Sequence, residues 1–97
     1  MEITRTDNGA SLVIKVSGCL DTASVPQFEG VLKGVEAKSV EFDFADLEFI
    51  SSSAIRALVS LRKRALPAGG SVGISAVGDV VRDVFDMTGL SGDFGIV

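Results

Sequence analysis

Three short runs of this sequence alternate apolar and polar side chains with a period of two, and that pattern leaves few folds open. Leu12, Ile14 and Val16 alternate with Ser11, Lys15 and Ser17; Val40, Phe42 and Phe44 with Glu41 and Asp43; Val72 and Ile74 with Ser71, Gly73 and Ser75. Side chains along a strand point to opposite faces in turn, so each run is a strand with one apolar face. A parallel sheet covered on both faces would show unbroken apolar runs, so helices are expected mainly on one side. Ile3 to Arg5 and Phe94 to Val97 read as shorter terminal strands.

Between these runs the period becomes helical. Ser24-Val-Pro-Gln27 reads as a capping box with proline in the first turn, followed by Phe28, Val31, Leu32 and Val35 at i, i+3, i+4 and i+7. Gly30 and Gly34 each cost about 1 kcal/mol relative to alanine inside a helix, so packing must hold this one. A second helix starts in Ser51-Ser52-Ser53, runs to about Leu66 and stops at Pro67-Ala-Gly-Gly70. Ala54, Leu58, Leu61 and Ala65 share its inner face; Ser52, Arg56, Val59 and Lys63 lie opposite. Arg62, Lys63 and Arg64 suit the negative pole at its C-terminal end. A third helix spans about Asp79 to Thr88, buries Val81, Val84 and Phe85, and closes on Gly89 with Leu90 behind it as in a Schellman cap. The class is α/β, with successive βα units in the later part of the chain.

A length of 97 residues allows a single domain, 1–97. Histidine is absent, which excludes Ser-His and Cys-His nucleophile pairs and imidazole metal sites, and no phosphate-cradling glycine motif occurs. The acidic residues group only between Glu41 and Glu48, a stretch read as solvated surface, so the chain is not expected to be an enzyme or to hold a metal or cofactor. Nine basic and thirteen acidic residues give a net charge of −4, which repels phosphate backbones and makes direct nucleic-acid binding unexpected. No apolar run reaches the length of a membrane span, and Met1-Glu2-Ile3-Thr4-Arg5 lacks the basic-then-apolar pattern of a secretory signal, so membrane insertion is not expected. The single cysteine, Cys19, reads as a small buried hydrophobe in a reducing compartment, the cytoplasm.

Taken alone, three serines before a helix are capping residues, since one hydroxyl can satisfy an orphan N–H of the first turn. Three stretches then resemble the STAS domain, the small fold of bacterial anti-sigma-factor antagonists. They are Gly18-Cys-Leu-Asp21, the run from Phe42 through Asp46-Leu-Glu-Phe-Ile-Ser-Ser-Ser-Ala54 to Leu58, and Gly70-Ser-Val72 leading through Val84 to Thr88-Gly-Leu90. The central stretch is the specific one. The resemblance implies a mixed four- to five-stranded sheet. In the family the segment entering the second helix commonly reads Asp-Ser-Ser-Gly, and its first serine is phosphorylated by a partner kinase that is itself the anti-sigma factor.

On this chain the phosphoacceptor position falls on Ser52, with Ser51 in place of the aspartate, Ser53 as the second serine and Ala54 in place of the glycine. A methyl at Ala54 is expected to narrow a partner's approach. Ser51 as N-cap would leave Ser52 at the first helical position on the exposed side. The resemblance implies a phosphorylation-controlled binding module that captures a GHKL-type serine kinase, frees a sigma factor, and is reset by a PP2C-type serine phosphatase. Asp21 matches an aspartate that contributes to kinase recognition, and equally reads as a capping aspartate before Ser24. Arg56, one turn from Ser52, is either a solvated arginine or a partner for the phosphate. Val59 and Lys63 extend the same face toward a partner groove. The departures at 51 and 54 favour an alternative: an unphosphorylated STAS subunit or scaffold of a lipid-transport ABC system or signalling complex.

Overall fold

The period-two runs form three strands of a mixed five-stranded sheet. The computed structural model describes residues 1–9, 11–33, 35 and 39–96. Strand β1 (Glu2–Asn8) pairs antiparallel with β2 (Ser11–Leu20), from Glu2 opposite Ser17 to Asn8 opposite Ser11. A single 3-10 turn at Thr22–Ser24 leads into helix α1 (Val25–Lys33), which carries the chain back to β3 (Ser39–Phe44), parallel to β2. A short β4 (Leu47–Ile50) follows at once and pairs in parallel with the end of β2. Helix α2 (Ser52–Ala65) and a 3-10 turn at Leu66–Ala68 precede β5 (Ser71–Val77), which lies parallel to β3, and α3 (Asp79–Thr88) follows. The order across the sheet is β1-β2-β3-β5, with β4 extending the edge of β2 beyond β3.

Burial follows the expected alternation. Leu12, Ile14, Val16, Val40, Phe42, Phe44, Val72 and Ile74 are buried, while Lys15, Ser39, Glu41, Ser71 and Ser75 stay exposed. Phe28 and Leu32 of α1, Ala54, Ile55, Leu58 and Leu61 of α2, and Val81 and Phe85 of α3 complete the same core. The helices therefore bury one face of the sheet, as the sequence pattern requires. The solvated reading of the acidic stretch also holds for Glu41, Asp46 and Glu48, which are exposed. Asp46 ties this stretch to β2, its carboxylate 3.2 Å from Lys15 Nζ and its carbonyl accepting from the Gly18 N–H at 3.1 Å.

Four expectations need correction. The segment ending in Val97 is not a strand as far as it is described: Phe94 to Ile96 turn tightly, with the Gly95 N–H donating to Gly92 and Ile96 to Ser91, and Val97 lies outside the described residues. Phe94 still serves the core, packing edge-on against Phe85 at 5.7 Å, while its carbonyl accepts the Ile74 N–H at the free edge of β5. The strand β4 was hidden in the acidic stretch. Ser24 forms no capping box, because Asp21 takes the capping role and the Ser24 hydroxyl donates to it. Cys19 is exposed rather than buried. Gly34, counted in the first helix, lies outside the described residues.

Gly18 is where backbone freedom matters. Its φ is +89°, the β2–β4 register shifts there, and an added Cβ would stand 3.2 Å from Met1 Cα. The β2–β3 pairing ends at Lys15 opposite Asp43, and from Gly18 on β4 takes over, with Glu48 of β4 as the extra residue opposite the Gly18–Cys19 step.

Candidate functional site

The site is built where two parallel strand ends meet a helix start. At the ends of β2 and β4, Cys19 lies beside Phe49 and Leu20 beside Ile50, and the Ser51 N–H donates to the Leu20 carbonyl at 2.8 Å. That bond carries the sheet pairing into the first residue before α2 and brings the Leu20-Asp21 segment next to the three serines.

Ser51 is the N-cap, with extended dihedrals (φ −87°, ψ 160°) and its Oγ accepting from the Ala54 N–H at 3.3 Å. It is only 9% exposed, so its hydroxyl is turned inward to the helix it starts. Replacing Ser51 with alanine leaves the Ala54 N–H without this acceptor and is expected to cost about 1 kcal/mol. For a domain this size that lowers Tm by roughly 4–8 °C in a thermal melt. Ser51→Asp, which keeps a capping oxygen, is expected to lose much less.

With Ser51 spent on the cap, Ser52 occupies the first position of α2 and is exposed, while Ser53 is half-buried. This is the placement the sequence led one to expect. The first N–H groups of a helix have no intrahelical acceptor, so Ser52 stands at a partial positive pole. Arg56 is exposed one turn further along, and Lys63 is exposed two turns beyond it. Val59 is half-buried and packs against the core, so it offers an edge rather than a protruding side chain. Ala54 is fully buried. Its methyl belongs to the core, which removes the expectation that it narrows the approach from outside.

Asp21 is exposed at the head of the Thr22–Ser24 turn, its Oδ1 accepting from the Ser24 hydroxyl at 2.8 Å and the Ser24 N–H at 3.0 Å. The Ser24 hydroxyl, then the Ser24 N–H, hold its carboxyl below the ordinary value of 3.8. A depressed carboxyl contributes stability that is complete above its unfolded value and is lost as pH falls through its native value. In a carboxyl NMR titration Asp21 is expected to show a midpoint below 3.8, moving upward in Ser24→Ala. An unchanged midpoint in that variant would assign the shift elsewhere.

Sequence reasoning missed two features of this corner. Phe49 is 44% exposed, and Cys19 beside it faces out as well. The signal was available for Cys19: extending the even-numbered buried positions of β2 from Leu12 to Leu20 puts residue 19 on the outer face. Among the described residues no group of three or more Cys, Asp or Glu side chains is placed to hold a metal ion, and no helix is long and apolar enough to cross a membrane.

A sequence model of the STAS domain matches residues 2–97. No curated protein matches the sequence significantly. Among solved structures, the chain is similar to the anti-sigma factor antagonist SpoIIAA in its unphosphorylated form (TM-score 0.83, 20% identity, 95% of this chain and 84% of that one). It is similar to an anti-sigma factor antagonist from Mycobacterium paratuberculosis (TM-score 0.85, 24% identity, 96% and 81%). The phosphorylated form of SpoIIAA, a cell fate determinant from Bacillus, matches at TM-score 0.76 with 18% identity over 95% and 87%.

Proposed function

Because the chain belongs to the STAS domain family, we propose that it is an anti-sigma-factor antagonist, a protein-binding module without catalysis of its own whose docking face is switched by phosphorylation of Ser52. The observation that carries this reading is the division of labour between adjacent serines: Ser51 turned inward as the cap and Ser52 turned outward at the first helical position. The hydroxyl offered to a kinase is not the one that holds the helix together. In its unmodified state the protein captures a GHKL-type serine kinase that acts as the anti-sigma factor, and so frees the sigma factor. The kinase supplies the ATP. A PP2C-type phosphatase restores the serine.

Each residue has a physical role in that cycle. A phosphate adds about −1.5 to −2 charges. The N-terminal pole of α2 tolerates it, and Arg56, one turn along the same face, is placed to pair with it. The same charge is expelled from a dry interface, so the partner leaves while the fold stays. Asp21, fixed by Ser24 and joined to the serine turn through the Leu20 carbonyl, supplies a positioned carboxylate for kinase recognition. Ser53, Val59 and Lys63 complete the face, and Ser51 acts through the helix it starts. Two solved forms of one fold relative, unphosphorylated and phosphorylated, support the view that this architecture persists in both states.

Incubation with the cognate kinase and ATP, followed by tandem mass spectrometry, tests the assignment. One phosphate on Ser52 is expected. Phosphate on another residue would remove Ser52 from the account, and recovery of a transport ATPase in place of a kinase would favour the scaffold reading.

A further inference from the structure

Helix α3 exposes more apolar surface than the domain uses. Its inner face is filled by Val81 and Phe85, both fully buried. Val80, Val84 and Met87 recur at i, i+4 and i+7 beside that face. Val80 is 60% and Met87 82% exposed, and Val84 is half-buried at the margin of the core. At about 100° per residue the apolar arc runs unbroken from the core side out to solvent. Asp79, Asp83 and Asp86, all exposed, form the border beyond it. The helix's basic residue, Arg82, lies on the other flank, lining a cleft with Ile74 and Ile96. An apolar stripe edged by carboxylates on its solvent side is the complement of one edged by cations.

We infer that α3 is a second docking face, which receives a partner helix whose own apolar stripe is bordered by lysine or arginine. The carboxylate border argues against an anionic membrane as the occupant, since like charges repel. The rival occupant is a second copy of this chain. The inference does not depend on Ser52, so either can fail without the other.

The test is an NMR titration of the isotope-labelled protein with a synthetic amphipathic peptide of leucine and lysine, its leucines at i, i+3, i+4 and i+7, against a scrambled peptide of the same composition. Shift changes confined to α3 and its neighbours, absent with the scrambled peptide, are expected. Met87→Gln, at a position too exposed to affect folding, should weaken binding about tenfold. Asp83→Lys should weaken it about threefold and flatten its dependence on salt. Equal binding of the scrambled peptide, or a Met87→Gln variant that binds as the parent does, would overturn the inference. Sedimentation of the free protein supplies the other arm: a concentration-dependent dimer abolished by Met87→Gln would assign the face to self-association and overturn the heterologous partner, whereas a monomer is expected.

Discussion

Ser52→Ala is expected to hold the protein in its binding state. With the kinase and ATP present, the complex of the parent protein should decay as phosphate accumulates, while the variant's complex should persist, with phosphate incorporation reduced at least about a hundredfold. The expectation follows from the placement of the hydroxyl. Ser52 makes no contribution to the cap, which Ser51 provides, so removing its oxygen leaves helix α2 and the docking surface as they were. An exposed serine at a helix start is within ordinary surface-substitution limits, about ±0.5 kcal/mol. The variant should therefore melt close to the parent, and any loss of phosphorylation can be read as loss of the acceptor. The complementary control is Ser51→Ala, which is expected to be less stable yet still phosphorylated at Ser52. Should Ser52→Ala lose kinase binding altogether, the hydroxyl would be a contact needed for docking in its own right.

Phe42→Ala is expected to have the largest effect on stability. Phe42 is fully buried in the middle of β3, with the Phe28 ring 6.0 Å away at 54° and the Phe44 ring 5.5 Å away at 36°. It joins the central strand to α1, the helix that the glycine at 30 leaves dependent on packing. Truncating a buried phenylalanine costs about 3–5 kcal/mol, against a total of roughly 5–15 kcal/mol for a domain of this size. Urea unfolding should show a midpoint near the start of the parent's transition, or no folded baseline. Phe49→Ala is the matched control. That ring is 44% exposed, so its loss should cost about 1 kcal/mol or less. Similar costs at the two positions would mean that the core does not sit on one face of the sheet.

What could be read from the residues was whatever a single local rule decides. Strands β2, β3 and β5 were legible because one face of each is buried and the other solvated, which a period of two records directly. The start of α2 was legible because capping is a contact across three residues, and the end of α3 because Gly89 must adopt a positive φ, 74° here, with the Leu90 N–H reaching back to the Phe85 carbonyl. Features set by the rest of the molecule were not legible. Strand β4 has buried ends and an exposed middle, Leu47 and Ile50 around Glu48 and Phe49, so no alternation announces it. Glu48 is an extra residue opposite the Gly18–Cys19 step of β2, and that irregularity breaks the alternation. At Ser24 two local rules competed, and the carboxylate of Asp21, a stronger acceptor than a hydroxyl, decided the outcome. Phe94 is apolar and proves buried, as a strand residue would be, yet Gly92 and Gly95 turn the chain around it.

The candidate site shows the same division. Capping said that a serine of the 51–53 run starts the helix; Ser51 as the cap and Ser52 as the exposed first helical residue came with the resemblance to the family motif. The burial of Ala54, the exposure of Phe49 and the bond from Ser51 to Leu20 depend on how β2, β4 and α2 converge, which no single stretch of the sequence states.

A phosphate on Ser52 is expected to end docking without unfolding the protein. Titrating the kinase with the native protein in two forms, unmodified and fully phosphorylated on Ser52, and melting both samples reads the two effects separately. The expected result is an affinity lower by about a hundredfold or more in the phosphorylated form, equivalent to about 2.7 kcal/mol, with Tm unchanged to within a few degrees. Equal affinities, or a loss of binding accompanied by a collapse of Tm, would contradict it.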